Sequence, residues 1–423
     1  MAETKKDEKS TRWPRLFCAA ALMMVLGVLY AWSIFREPLS DLFGTWTAVN
    51  LSWVFTITML GFLVGGVVSG RLSMRVKHRY IVLASAVLCL VGFLGVSRID
   101  AADPAKSLIM MYVFYGLFCG FGIGMPYYAI LGAMLKWFPG REGLASGVLL
   151  MGFGFGGLVL GNIIGALIVS YGINRTFVIL AVGIALIAGG GSFLIREPST
   201  PIGPEPAKSE GGPAVSGPVL GELTPVQMVR TAAFVILVLW MISIATGGLM
   251  VMNSAASIAI FYGFSAGIGL VATVFNGVGR MFFGVFFDRF GDRISMAFVS
   301  LCLVASCLLM LAGTMGANPA LIVIGLPLTC FGYGGSPVIT SAFANRYFGP
   351  KNYTANLSII NLSVMVSSIA GPILSGSLQD MSGGSFTGTF AAIGVFGAIA
   401  VILVFLARMQ KRARKEEIAP DGQ

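Results

Sequence analysis

The chain has 423 residues, of which 56% are hydrophobic and only 11% charged. That balance, with a mean hydropathy of +0.87, excludes a soluble globular domain and points to an integral membrane protein. The net charge of +10 does not indicate nucleic acid, because the cations are gathered in short segments between long apolar runs.

About 20 apolar residues cross a hydrocarbon core of about 30 Å as a helix. Twelve such runs follow one another, at approximately 16–35, 51–72, 80–97, 108–133, 143–170, 176–195, 231–253, 265–287, 294–314, 320–343, 354–378 and 386–407. The expected fold is therefore an all-α membrane protein. An even number of crossings puts both termini on one side. With the N-terminus inside, the inner segments hold 23 of the 28 Lys and Arg, and the outer loops hold only Arg36, Arg98, Lys106 and Arg175. Lys and Arg in short loops set orientation, so both termini are expected in the cytoplasm, in the plasma (inner) membrane.

In chain order, a basic tail of residues 1–15 precedes the first run, which continues without a small-residue cleavage pattern and is expected to be retained. That run carries Gly27-x-x-Tyr30-Ala-Trp32-Ser33. The second run ends in Gly70-Arg-Leu-Ser-Met-Arg75-Val-Lys-His-Arg79, and His78, the single histidine, is expected at the surface of this basic loop. On the fourth run Tyr115 and Cys119 are four residues apart and share a helical face. Trp137-Phe138-Pro-Gly-Arg141 opens the fifth run, whose Gly157, Gly161 and Gly165 form a small-residue face suited to close helix packing. The glycines at 152–157 lack a βαβ context, and no Walker sequence occurs, so neither nucleotide nor other cofactor is expected. The six cysteines form no CxxC pair and have no histidine beside them, so no metal site is expected either.

From Glu197 to Gln227 the composition turns to Pro, Gly, Ser, Glu and Lys, the profile of a linker. The expected organisation is a tail (1–15), a six-helix bundle (16–196), a cytoplasmic linker (197–229), a second six-helix bundle (230–407) and a tail (408–423). The halves repeat. Gly284-Val-Phe-Phe-Asp288-Arg289-Phe-Gly291-Asp-Arg293 lies 214 residues after the loop at Gly70, and Tyr347-Phe348-Gly-Pro-Lys351 lies 210 after Trp137. Parallel repeats of this kind place a binding site near the midplane where the halves meet and allow alternating access by rocking.

The Gly284-x-x-x-Asp288-Arg289-x-Gly291-x-Arg293 pattern resembles the cytoplasmic loop motif of the major facilitator superfamily. The resemblance implies a gating role for Gly284, Asp288, Arg289, Gly291 and Arg293, together with Arg75 and Arg141 in the first half. The first copy departs from the pattern, with Met74 for the acid and Lys77 for the glycine. Within that superfamily the chain resembles the monocarboxylate transporters and the bacterial oxalate/formate antiporter branch. That likeness rests on the helix 1 motif, on Lys136-Trp-Phe-Pro-x-Arg141-x-Gly143-x-Ala-x-Gly147, on Asn276-x-x-x-Arg280 and on Phe348-Gly-x-Lys351-Asn352-Tyr353.

Arg280 is the remaining cation, and it lies inside an apolar run eight residues before Asp288, about 12 Å deep. A central Arg costs at least about 2.5–3.5 kcal/mol, so such a residue normally faces water or an anionic partner. Its planar fork suits a carboxylate; the other reading is a structural Arg satisfied by backbone carbonyls or trapped water. Asn276, four residues earlier, can serve a substrate oxygen or a helix-packing hydrogen bond. Tyr30, Tyr115, Cys119, Tyr333 and Asn361 are further candidates for substrate contact, each with helix packing as its alternative. From Asn352 to Ala407 there is no Lys or Arg, whereas the oxalate/formate exchangers it resembles carry a lysine on helix 11. One cation balances one carboxylate, so a small monocarboxylate of the lactate, pyruvate, acetate or formate kind is expected, with oxalate ranked below it.

Moving a lone anion into a negative cell interior costs about 2.3 kcal/mol per 100 mV, so a proton or a counter-anion must accompany it. Proton symport is the first reading, implied by the monocarboxylate carriers, and organic anion exchange the second. An enzyme would need a buried nucleophile, base or metal ligand set, which this sequence does not offer. A nontransporting sensor would usually append an output domain. Expected partners are thus the monocarboxylate, a proton or counter-anion, and the lipid bilayer, with a monomer as the working unit.

Overall fold

The computed structural model describes residues 2–198, 220–252, 254–265, 267–316 and 318–418. Most of the expected linker, 199–219, and the last residues of the expected C-terminal tail, 419–423, lie outside that set. Among the described residues, eleven helices are long and apolar enough to cross a membrane. They are α1 (Thr11–Ala31), α2 (Trp53–Leu72), α3 (His78–Val96), α4 (Pro104–Leu135), α5 (Glu142–Tyr171), α6 (Ile173–Ser192), α7 (Ala232–Met252), a 42-residue run Val274–Met315, α10 (Ala320–Phe348), α11 (Tyr353–Met381) and α12 (Thr387–Leu406). At 1.5 Å per residue the long run measures about 63 Å, twice a hydrocarbon core. It turns at Gly291, where φ is 80° and ψ −179°, and so contains two crossings, α8 (274–290) and α9 (292–315). The protein is an all-α membrane protein of twelve transmembrane helices in two six-helix bundles.

Several crossings are interrupted midway. A 3-10 turn, Gly27–Ala31, ends α1, a π-helical stretch, Met111–Cys119, lies inside α4, and α11 breaks at Asn361 between Tyr353–Ile360 and Leu362–Met381. Pro126 in α4, Pro327 and Pro337 in α10, and Pro372 in α11 each remove a backbone donor within a span. Glycine lets α1 and α5 touch backbone to backbone: a Cβ built on Gly27 would stand 2.7 Å from the Gly156 Cα.

The chain forms two compact units. Among the described residues the first comprises 2–198, 220–222 and 344–359, and the second those of 223–343 and 360–418. The end of α10 and the first turns of α11 thus pack with the first six helices. A Cβ on Gly70 of α2 would lie 2.6 Å from the Ala355 Cα, and one on Gly132 of α4 would run into the Thr354 hydroxyl. The loop between α10 and α11 is also held by the last part of the expected linker. Leu220 N–H donates to Tyr347 O at 3.0 Å, and Lys351 N–H donates to a Glu222 carboxylate oxygen at 2.9 Å.

His78 is not the surface residue expected of a basic loop. It begins α3 with 4% exposure, and its Nδ1 lies 2.5 Å from Oε1 of Glu197. Lys136 Nζ sits 2.8 Å from the other oxygen of that carboxylate. Loop composition did not foretell this, because the burial comes from residues 58 and 119 positions further along the chain.

Candidate functional site

In the second unit α8 positions two of the expected residues. Arg280 is 5% exposed and Asn276 2%, one turn apart on the same face. Their helix is pressed against α10 through glycines. A Cβ on Gly279 would meet the Phe331 carbonyl, with the Phe331 Cα at 3.1 Å, and a Cβ on Gly334 would meet that of Asn276, with the Asn276 Cα at 3.2 Å. At this approach Asn276 Nδ2 donates to Cys330 O at 3.5 Å. Asn276 is therefore a tie between α8 and α10, and its amide oxygen remains as an acceptor beside Arg280.

Tyr333 is half-buried on α10 and packs over a glycine of α7: a Cβ on Gly248 would stand 2.5 Å from the Tyr333 Cβ. Asn361, 8% exposed, sits at the break of α11, where its carbonyl accepts from Val364 N–H at 3.0 Å. The hydroxyl of Ser367 donates to Ile242 O at 3.2 Å and joins α11 to α7. Arg280, Asn276, Tyr333 and Asn361 all belong to this unit, on α8, α10 and α11.

The first unit holds the other three candidates. Tyr30, 39% exposed, lies in the 3-10 turn of α1 with its ring 5.3 Å from that of Phe153. Phe153 in turn stacks edge-on with Tyr127 at 4.9 Å, and Tyr127 with Phe62 at 5.2 Å. Tyr115, 2% exposed, is embedded among Trp32, Phe35, Phe93 and Phe177, with ring centroids at 5.1, 6.0, 6.0 and 6.4 Å. Cys119 Sγ lies 2.5 Å from where a Cβ on Gly92 of α3 would stand. The shared face of Tyr115 and Cys119 thus includes the packing seam with α3. Tyr127 escaped sequence reasoning; the signal for it was the run Pro126-Tyr127-Tyr128, two phenols behind a mid-span proline.

Of the expected gating residues, Gly284 is buried, Asp288 and Arg293 are half-buried and Arg289 is exposed, its guanidinium 5.3 Å from the Phe290 ring centroid. Gly291 makes the reversal between α8 and α9, with a φ that favours glycine. Ser295 Oγ donates back to its carbonyl at 2.7 Å. In the first half Arg75 is exposed after α2, and the half-buried Arg141 begins α5, its N–H donating to Phe138 O at 3.0 Å. Outside the spans, Glu197 is the group most clearly shaped by its surroundings. The hydrogen bond from His78 and the Lys136 ammonium outweigh desolvation and pull its carboxyl down to about 2. No cluster of three or more His, Cys, Asp or Glu capable of holding a metal occurs among the described residues.

The Major Facilitator Superfamily model matches residues 13–278 and 266–423. The chain belongs to that superfamily. Membership makes it a transporter rather than an enzyme, and an integral, multi-pass membrane protein. Among superfamily relatives it is similar to the oxalate:formate antiporter of Oxalobacter formigenes, 27% identical over 417 residues that cover 96% of this chain and 94% of that protein. It is similar also to monocarboxylate transporter 13 of Rattus norvegicus, 22% identical over 383 residues, covering 88% and 83%. Among solved superfamily structures, the proton:xylose symporter XylE superposes with a TM-score of 0.69 at 13% identity, covering 94% of this chain and 95% of that one. At that identity the likeness shows the fold alone.

Proposed function

We propose that this protein is a secondary active transporter of a small monocarboxylate of the lactate, pyruvate, acetate or formate kind, coupled to protons, working by alternating access with Arg280 as the anion clamp. The observation that carries the reading is a guanidinium 5% exposed inside a membrane crossing, in a chain whose other Lys and Arg lie in tails, loops or at span ends by the sequence assignment. A single fixed cation neutralises a single carboxylate, and a second carboxylate would keep an unpaired charge in a poorly solvated place. The names of the relatives, a monocarboxylate transporter and an oxalate:formate antiporter, agree with an organic anion as cargo. Asn276 positions the clamp and offers an acceptor to a substrate hydroxyl, while Tyr333 and Asn361 complete the polar surroundings. Tyr30 is retained as a contact from the first unit, and Gly284, Asp288, Arg289, Gly291, Arg293, Arg75 and Arg141 as gating residues of the inner loops. The charge asymmetry supports the plasma (inner) membrane with both termini in the cytoplasm.

Exchange of organic anions without net proton movement is the second reading. It is favoured by a relative matched over 96% of this chain, an antiporter, and by the placement of all 18 acidic residues outside the membrane cores in the sequence assignment. Uptake of labelled lactate, acetate, formate and oxalate into proteoliposomes, with and without a pH gradient and with and without internal anion, separates the two. Gradient-driven lactate-type uptake that Arg280→Ala abolishes and Arg280→Lys restores only in part is the expected result. Dependence on preloaded anion would turn the conclusion to exchange, and full activity in Arg280→Ala would remove the clamp.

A further inference from the structure

The His78 cluster contains none of the residues proposed to recognise the cargo. The Glu197 carboxylate, just past α6, takes His78 Nδ1 at 2.5 Å from the start of α3 and Lys136 Nζ at 2.8 Å from the end of α4. Beside it, Trp137 Nε1 donates to Arg196 O at 2.7 Å and repeats the tie between α4 and the end of α6. The other ring nitrogen of His78 faces Gly132, where a built Cβ would stand 3.1 Å from Nε2 and would also meet the Thr354 hydroxyl. Imidazole and Thr354 therefore converge on one glycine, and Thr354, 4% exposed, lies in the first turn of α11. Three helix ends form a collar against which the inner end of α11 rests.

Glu197 faces the imidazole from the end of α6 and Lys136 from α4, while α11 presents the neutral Thr354. On its own element it is flanked by Lys77 and by Arg79, whose guanidinium is turned to the Tyr80 ring at 4.6 Å. Glu197, its carboxyl pulled down to about 2, stays ionised at neutral and mildly acid pH.

We propose that His78 is an internal-pH sensor: protonation converts its hydrogen bond to Glu197 into an ion pair, tightens the collar of α3, α4 and α6 ends, and holds the inner end of α11 closed. Acidification on the side the charge count assigns to the cytoplasm then slows opening on that side and limits further acid entry. The bistable element is the first turn of α11, and the charge that biases it is the imidazolium.

The test needs no cargo, so its failure is distinguishable from failure of the transport reading. Backbone hydrogen exchange of residues 353–360 is measured on the purified full chain between pH 5.5 and 8, corrected for the intrinsic pH dependence of exchange. Protection roughly threefold or more higher at the acid end is expected in the wild type. It should flatten in His78→Gln, which keeps a donor but cannot charge, and in Glu197→Gln. A pH dependence that survives His78→Gln, or a flat wild-type profile, overturns the proposal. Should both variants misfold, the wild-type profile decides: a midpoint inside the window supports the sensor, and flatness removes it.

Discussion

The side-chain amide of Asn276 donates to the backbone carbonyl of Cys330 at 3.5 Å, so the residue one turn before Arg280 is fastened to α10. This tie limits how far α8 can slide and fixes the height at which the guanidinium stands. Replacing the amide by a carboxylate removes the donor and puts a negative charge within i,i+4 reach of Arg280. Asn276→Asp is expected to raise KM for a monocarboxylate about tenfold or more, while Asn276→Ala costs roughly 1 kcal/mol of stability. Proteoliposome uptake kinetics and thermal unfolding measure the two effects separately.

Gly334 holds the same approach. A side chain there has the Asn276 backbone in its way, with the carbonyl carbon at 3.0 Å. Backbone cannot give as a flexible side chain can, so Gly334→Ala should destabilise by about 1–3 kcal/mol. It should also shift transport through KM, because displaced backbone carries Arg280 with it. A Tm within a degree of wild type would show that α8 and α10 are less closely pressed.

Gly291 turns α8 into α9 with φ 80° and ψ −179°, a region open essentially to glycine. Gly291→Ala is expected to cost about 1–3 kcal/mol, although a Cβ there meets nothing within 4 Å. The cost is thus one of backbone conformation rather than space. Differential scanning fluorimetry of the two proteins reads it directly.

Glu197 predicts an acid-side dependence of stability. Its carboxyl is lowered from 4.5 to about 2 by His78 first and by Lys136, and a depressed carboxylate stabilises the folded state above its unfolded value. That contribution is complete above about pH 5 and is lost as pH falls toward 2. The slope of Tm against pH over that range should be shallower in Glu197→Gln than in wild type. Equal slopes would mean the pairing contributes nothing.

Tyr115 offers a test of packing against substrate contact. With four aromatic rings around it, its contribution is that of a buried ring, so Tyr115→Phe should leave KM within about twofold while Tyr115→Ala costs roughly 3–5 kcal/mol. A large KM change in the phenylalanine variant would bring the phenol into the binding site.

Much of the architecture was legible in the sequence because its causes are local. A run such as 231–253 is apolar along its whole length wherever it packs, and the spacing of Gly284, Asp288 and Gly291 belongs to one turn of chain. Arg280 was equally legible, since a cation inside an apolar run stands out without knowledge of any neighbour. The periodicity that paired Tyr115 with Cys119 was sound, but it could not say which partner their common face would meet; α3, with Gly92 opposite Cys119, took part of that face.

What the sequence determined by itself is therefore the solvent of this protein, its crossings, its duplication and the one cation embedded in it, all consequences of hydropathy and short-range spacing. The tertiary structure alone decided that His78 would be buried on Glu197, that Asn276 would engage Cys330, and that the start of α11 would lie against Gly70 and Gly132. Each of those depends on segments more than fifty residues apart meeting at a glycine or a carboxylate, and the energy of such a meeting belongs to the pair of surfaces rather than to either stretch of chain.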